Sequence, residues 1–214
     1  MSLARTPGNT FRGVYMEYTM LSGVLVDLVP FSKRFANLDH KWENGPSHFW
    51  ADAGDRSVFS RAQIEAGRRE WLDMVEQGKA TGFSFGIQTK DGTPIGGMGF
   101  NWIDYYNRTA NMGASIGEPE YWGGGYGTDA LLLIVDFAFN WLDLRKVWLD
   151  TMGINVRVQR QMQKIGFVLE ARLRDLFYVD GQPCDSLSYG LLREEWLGRA
   201  VMIDRLGLRA AKEE

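Results

Sequence analysis

"EPEYWGGGYGTDALLLIVDFAFNWL" spans residues 118–142 and contains Gly123, Gly124, Gly125 and Gly127, four glycines within five positions. A long apolar helical run follows at once. One or two glycines suffice for a tight turn; four imply that backbone must approach something closely. Three phosphate-binding readings compete. A nucleoside-triphosphate loop needs a lysine and a hydroxyl after its last glycine, and here Thr128 and Asp129 follow Gly127. A dinucleotide fingerprint matches Gly125 to Ala130 in letters, and Asp150 closes the next strand. That fingerprint needs a strand running directly into the first glycine. Here "EPEYW" intervenes, and Pro119 ends the preceding ladder.

The third reading fits the surroundings. A strand ends at Ser115-Ile116-Gly117, and Pro119 frees the next strand, "KVWLDTM", to splay away from it. The gap exposes strand backbone above a glycine loop whose N–H groups leave a helix N-terminus. An extended ligand with an amide-bearing arm and a pyrophosphate suits both features: the arm pairs with the strand, the pyrophosphate with the loop. Coenzyme A has that shape.

Around this stretch the pattern reads as one α+β domain. "GVLVDLVPFS" is a strand ended by Pro30, and residues 32–45 are a short helix. A loop is expected over roughly 45–60. The next helix shows an apolar stripe of Ile64, Trp71, Leu72 and Val75. Three antiparallel strands cover about 82–117, turning at Asp91-Gly92 and at Tyr106-Asn107-Arg108. Behind the glycine helix come a strand, a short helix closed by Gly166, and a strand pair around Asp180-Gly181. A helical tail is expected from Arg193.

The 214 residues are 45% hydrophobic and 24% charged, an ordinary globular composition, with net charge −3. That balance argues against a nucleic-acid partner. A single cysteine, Cys184, allows no internal disulfide, and no apolar run suits a membrane span, so a cytoplasmic protein is expected. His40 and His48, the two histidines, lack the company of a metal site.

Four segments resemble the GCN5-related N-acetyltransferases (GNAT), in particular the RimJ/RimL-like branch. They are "LSGVLVDLVPFS", "IGEPEYWGGGYGTDALLLIVDFAF", "GINVRVQRQMQKIGFVLEARLRD" and "DGQPCDSLSYGLLREEW". The resemblance covers about 21–196 and leaves 1–20 as an extension and 197–214 as a helical tail. It implies a GNAT fold: a mixed, mostly antiparallel sheet with splayed central strands flanked by helices. It implies acetyl transfer from acetyl-CoA to a primary amine, without a metal. By the resemblance Ser115, Ile116 and Gly117 bind pantetheine. Gly123, Gly124, Gly125, Tyr126, Gly127 and Thr128 bind pyrophosphate, and Asn155 contacts the coenzyme.

This chain departs from the family pattern Arg/Gln-x-x-Gly-x-Gly/Ala. Trp122 stands at its first position, and Gly124 stands where many relatives carry a cation. Arg157, Arg160 and Lys164 are alternative sources of charge. The family's usual acids are also missing: Met162 lies seven after Asn155 and Val158 three after it. Asp150 is the candidate base and a backbone N–H around Ser115 the candidate oxyanion donor, with Tyr189, Glu118 and Tyr178 as further catalytic candidates. Cys184 lacks a histidine partner for nucleophilic work. Trp42, Trp50 and Tyr105 are candidates for the acceptor wall, with Phe49 and Tyr106 beside them. The acceptor is read as a protein N-terminal α-amine, with a polyamine, amino acid or antibiotic amine as the alternative. A coenzyme-binding module without catalysis is a third reading. The apolar stripe of the tail suggests a homodimer.

Overall fold

The computed structural model describes residues 21–51 and 54–209, so the expected N-terminal extension lies outside the described residues. Seven strands form one sheet in the order β1-β2-β3-β4-β5-β7-β6. They are β1 (Val26–Pro30), β2 (Phe83–Thr89), β3 (Pro94–Asp104), β4 (Thr109–Ile116), β5 (Lys146–Met152), β6 (Val168–Val179) and β7 (Gln182–Leu192). Every neighbouring pair is antiparallel except β4 and β5, which run parallel.

The parallel step is made possible by α4 (Tyr126–Asn140), which crosses between β4 and β5. Its residues Ala130 to Val135, with Ala138 and Phe139, are all buried. A helix apolar on nearly all sides belongs in the core, and α4 packs there with Leu28, Ile87, Met98, Val147 and Leu191 from the sheet. Helix α5 (Val156–Ile165) lies on the same face, presenting Met162 and Ile165, and ends at Gly166 with φ of 109°.

The opposite face carries α1 (Lys33–Glu43) and α2 (Pro46–Ala51). Close approach depends on missing side chains in the sheet. A Cβ at Gly86 would fall 2.3 Å from the Phe35 ring, and one at Gly117 would fall 2.3 Å from Trp42. Each glycine is thus a socket for an aromatic from α1.

Three expectations need correction. The loop expected over 45–60 contains α2, because Pro46 suits a first helical turn. Helix α3 (Arg61–Glu76) forms behind a Ser60–Gln63 capping box, yet none of its residues is buried. Leu72 and Val75 are exposed, while Ile64 and Trp71 face a side cavity with Phe31 and Phe59. The tail is not one helix from Arg193. A short 3-10 turn (Arg193–Glu195) precedes α6 (Arg199–Leu206), with Gly198 at φ 87° between them.

The tail also joins the main core, so packing does not break at 196. Met202 is fully buried, and Trp196, Ile203, Leu206 and Leu208 pack against the core cluster. The apolar stripe that suggested a dimer is covered within the chain at Trp196, Met202 and Leu206, while Leu197 and Val201 are exposed.

Candidate active site

Strands β4 and β5 share only three register pairs: Thr109 with Lys146, Ala110 with Val147, and Asn111 with Trp148. Beyond that rung, residues 112–116 of β4 and 149–152 of β5 diverge. The fork opens a cleft of about 820 Å³.

Strand alternation gives the cleft two sides. Ile116, Leu149 and Val158 pack with the main core, the side of α4, α5 and the tail. Met152 turns the other way, into a small cluster with Phe49 and Trp50 of α2 and with Phe177. Trp148 and Asp150 share the parity of Met152, and the Trp148 ring meets Trp102 edge-on at 5.6 Å between centroids.

The glycine loop forms the floor on the α4 side. Gly123 and Gly125 have φ of 83° and 91°, the left-handed region that disfavours any side chain. A Cβ on Gly123 would meet nothing within 4 Å, whereas one on Gly125 would lie 3.1 Å from Leu208 and 3.2 Å from Leu25. Gly123, Gly125, Gly127 and Thr128 line the cleft; Gly124 and Tyr126 do not. Tyr126 instead packs edge-on against Tyr121. Behind the loop, the fully buried Asp129 carboxylate accepts from Leu25 N at 2.6 Å and Val26 N at 3.1 Å. It ties the approach to β1 onto the first turn of α4.

Positive charge comes from α5. Arg157, Arg160 and Lys164 line the cleft, and among the described residues none of them has a carboxylate partner. The Arg157 guanidinium stacks over the Trp122 ring at 4.5 Å, and burial draws its pKa below the ordinary value. The Trp122 indole N–H donates to Ile116 O at 2.8 Å. Trp122 therefore ties the loop to the end of β4 and gives Arg157 a platform. Open loop backbone, a helix N-terminus and unpaired cations fit a pyrophosphate.

The expected strand contacts shift by one residue. Gly117 N donates into the sheet, to Ile95 O at 2.8 Å. Backbone groups alternate along a strand, so those of Ser115 also point toward β3. Those of Ala114 and Ile116 point into the cleft, and both residues line it. An oxyanion donor is thus sought at Ala114 or Ile116 N–H, not at Ser115. Asn155 does line the cleft: it caps α5, its Oδ1 accepting from Val158 N at 3.3 Å, and its Nδ2 has no partner among the described residues.

Asp150 and Trp50 line the cleft as expected. Tyr189 does not: it is 2% exposed in the main core, opposite Leu149. Tyr178, at 75% exposure, and Tyr105, at 66%, lie outside the cleft on the surface. Trp42 supports the site from behind, over Gly117, its indole N–H donating to Glu118 Oε1 at 3.0 Å. Glu118 is buried and also pairs with Lys41, leaving it no free role as a base. Met162 is 1% exposed, a core side chain at the usual acid position. Cys184 sits with Met152 and Val179 in the small cluster. His48 lies between Glu43 and Asp55, at 3.0 and 3.2 Å, outside the cleft. Among the described residues no group of three or more His, Cys, Asp and Glu could hold a metal. No described helix is long and apolar enough to cross a membrane.

Sequence reasoning missed Asn101 and Asn111, which line the cleft at the fork, and Leu206 and Leu208 of the tail. Two asparagines inside strands, where that residue is disfavoured, were the only signal for the first pair. Nothing local marked the second.

Comparison with known proteins agrees with this geometry. The spermidine N-acetyltransferase of Vibrio cholerae, in complex with CoA and spermine, superposes with TM-score 0.71 over 81% of this chain and 98% of its own, at 18% identity. A probable acetyltransferase of known structure is 26% identical, with TM-score 0.63 over 80% of this chain and 95% of its own. The putative ribosomal N-acetyltransferase YdaF of Bacillus subtilis is 31% identical over 70% of this chain and 78% of its own length. The Escherichia coli spermidine N(1)-acetyltransferase is 29% identical over 50% of this chain and 57% of its own. Residues 28–168 match the family described as Acetyltransferase (GNAT) domain. The chain belongs to the GNAT acetyltransferase family and is an acetyl-CoA-dependent N-acetyltransferase.

Proposed function

We propose that this enzyme acetylates a protein or peptide N-terminal α-amine. The observation that carries the reading is the charge of the cleft: among its described lining residues Asp150 is the only carboxylate, against three cations. A polyamine carries several positive charges and needs several counter-charges; an α-amine carries one. The chemistry points the same way. An α-amine titrates near roughly 7.7–8 and an alkylamine of the lysine type near roughly 10.4, so the former needs far less help to become a nucleophile. With Met162 and Val158 where relatives keep hydroxyl acids, little such help is at hand.

Acetyl-CoA supplies an activated thioester. The chain's own residues hold it and orient the amine. The loop N–H groups with Arg157, Arg160 and Lys164 take the phosphates, and Asn155 Nδ2 with the β4 backbone takes the amide arm. Asp150 accepts the amine proton, directly or through water. Ala114 and Ile116 N–H are the donors left for a developing oxyanion. Orientation supplies much of the remaining acceleration.

The alternative acceptor is a small-molecule amine, favoured by the spermidine acetyltransferases among the relatives. Thiol release on a panel of short peptides, spermidine, free amino acids and an aminoglycoside separates the two. Higher kcat/KM on free peptide N-termini is expected; spermidine as the best substrate would overturn the reading.

A further inference from the structure

At the fork of the sheet two asparagine side chains meet. Asn101 Nδ2 donates to Asn111 Oδ1 at 2.6 Å. Asn101 is an extra residue: pairing of β3 with β4 passes from Phe100–Met112 to Trp102–Asn111, skipping it. Such a bulge re-aims a side chain out of the regular pleat. Gly113 makes the room, since a Cβ there would lie 3.2 Å from Asn101 Oδ1. Met112 belongs to the main core, so its neighbours Asn111 and Gly113 face the other side, toward α2.

The pair uses one donor atom and one acceptor atom internally and leaves one atom of each kind without a partner, besides the second N–H of Asn101 Nδ2 and the second lone pair of Asn111 Oδ1. Asn101 Oδ1 and Asn111 Nδ2 have no partner among the described residues, although Asn111 is only 7% exposed. Exchanging O and N on both amides gives the same result, one free acceptor and one free donor, so the conclusion does not depend on their assignment. All three of Asn101, Asn111 and Gly113 line the cleft. A donor and an acceptor side by side are the complement of a peptide group. An alkylamine or a polyamine has no carbonyl for the donor, and its desolvation of the pair would leave polar atoms unmatched.

We propose that the Asn101–Asn111 pair recognises the first peptide group of the acceptor, and so selects a peptide N-terminus over a simple amine. The position suits this. Asn111 is in register with Trp148, and Asp150 lies two residues farther along β5, about 7 Å up the strand. That span is within the reach of one to two residues of extended chain, at about 3.3–3.6 Å each. The inference rests on the acetyl-transfer reading of the cleft and on its peptide branch.

The test uses the full chain, acetyl-CoA and two matched amines: a C-terminally amidated tripeptide, and its analogue with the first peptide group replaced by a trans-alkene. Wild-type enzyme is expected to prefer the tripeptide by about 10–100-fold in kcat/KM, the scale for one or two matched hydrogen bonds. Asn111→Leu and Asn101→Ala should each remove most of that preference. The loss should fall on kcat/KM for the tripeptide, while kcat/KM for the alkene analogue does not fall and rises where the unmatched polar atoms are removed, and KM for acetyl-CoA is unchanged. Asn101 is exposed, so its substitution spares the fold if Asn111→Leu does not. Equal losses on both amines, or no wild-type preference, overturn the proposal. Turnover of spermidine but of neither matched amine also overturns it, while acetyl transfer stands. No turnover of any amine by enzyme that binds acetyl-CoA removes both.

Discussion

Asp150 reaches the cleft through strand parity, and it is unpaired there among the described residues. Substituting Asn keeps the shape and removes the proton acceptor. Asp150→Asn should lower kcat by about 10²–10⁴-fold with acetyl-CoA affinity unchanged by calorimetry; an unchanged rate would make Asp150 structural. Gly125 is a different kind of residue, required for what it lacks. Its φ of 91° disfavours any side chain, and a Cβ there would press on Leu208 and Leu25 at its back. Gly125→Val should abolish measurable acetyl-CoA binding, and retained affinity would contradict the phosphate-cradle reading. The position of both in the cleft was legible in sequence, one from a glycine pattern and one from a strand end. That of Tyr189 was not, because which face a strand residue presents depends on register, which the sequence leaves open; Tyr105 lies in the turn after β3, and the turn carries it away from the cleft.

Glu118 adds a pH dependence at the same scale. Burial pulls its carboxyl pKa up, but the Lys41 ion pair and the Trp42 indole N–H outweigh burial and hold it below the ordinary value. A depressed pKa stabilises the fold fully above the unfolded value, and that stabilisation is lost as pH falls through the folded one. Lys41 is 62% exposed, so solvent screens its share, while the indole N–H is buried with the carboxylate. Glu118→Ala should cost about 1–3 kcal/mol at pH 7, the penalty for an orphaned buried donor. In urea titrations the gap from wild type should narrow below about pH 4, where a glutamate protonates.

At the scale of elements, α5 does two jobs. Its N-cap Asn155 lines the cleft, and Arg157, Arg160 and Lys164 carry the charge that the loop lacks. Arg157 is fixed by stacking on Trp122, so its position is set before any ligand arrives. Arg157→Ala should raise Kd for acetyl-CoA by about 10-fold, as expected for one charge-assisted contact, and should weaken its salt dependence. Trp122→Ala should do part of the same, by freeing Arg157. Element existence was largely readable from periodicity, from β1 through the β6–β7 hairpin. Helix α3 misled because its spacing is amphipathic while its apolar side faces only a side cavity. Helix α6 was readable as a helix, but its destination, beside the glycine loop, is a long-range contact.

At the scale of the whole molecule, the fork has a consequence for how the chain folds. Strands β1 to β4 pair only with sequence neighbours, and β5 to β7 form a second group of neighbours. The β2–β3, β3–β4 and β6–β7 pairings are hairpins that close small loops and form early, whereas β1–β2 and β5–β7 close longer ones. The seam between the groups is the three-rung contact, together with α4 beneath it. On the proposed binding mode acetyl-CoA lies across this seam, so it would recognise only the docked halves and raise stability by mass action, about 2.7 kcal/mol at a hundred times its Kd. Hydrogen exchange with and without acetyl-CoA should therefore show the largest added protection in residues 109–116 and 146–152, and little in the β6–β7 hairpin; uniform protection would contradict a weak seam. The gap that admits the ligand is also the last join of the folding chain, and a ligand seated there acts as its clasp.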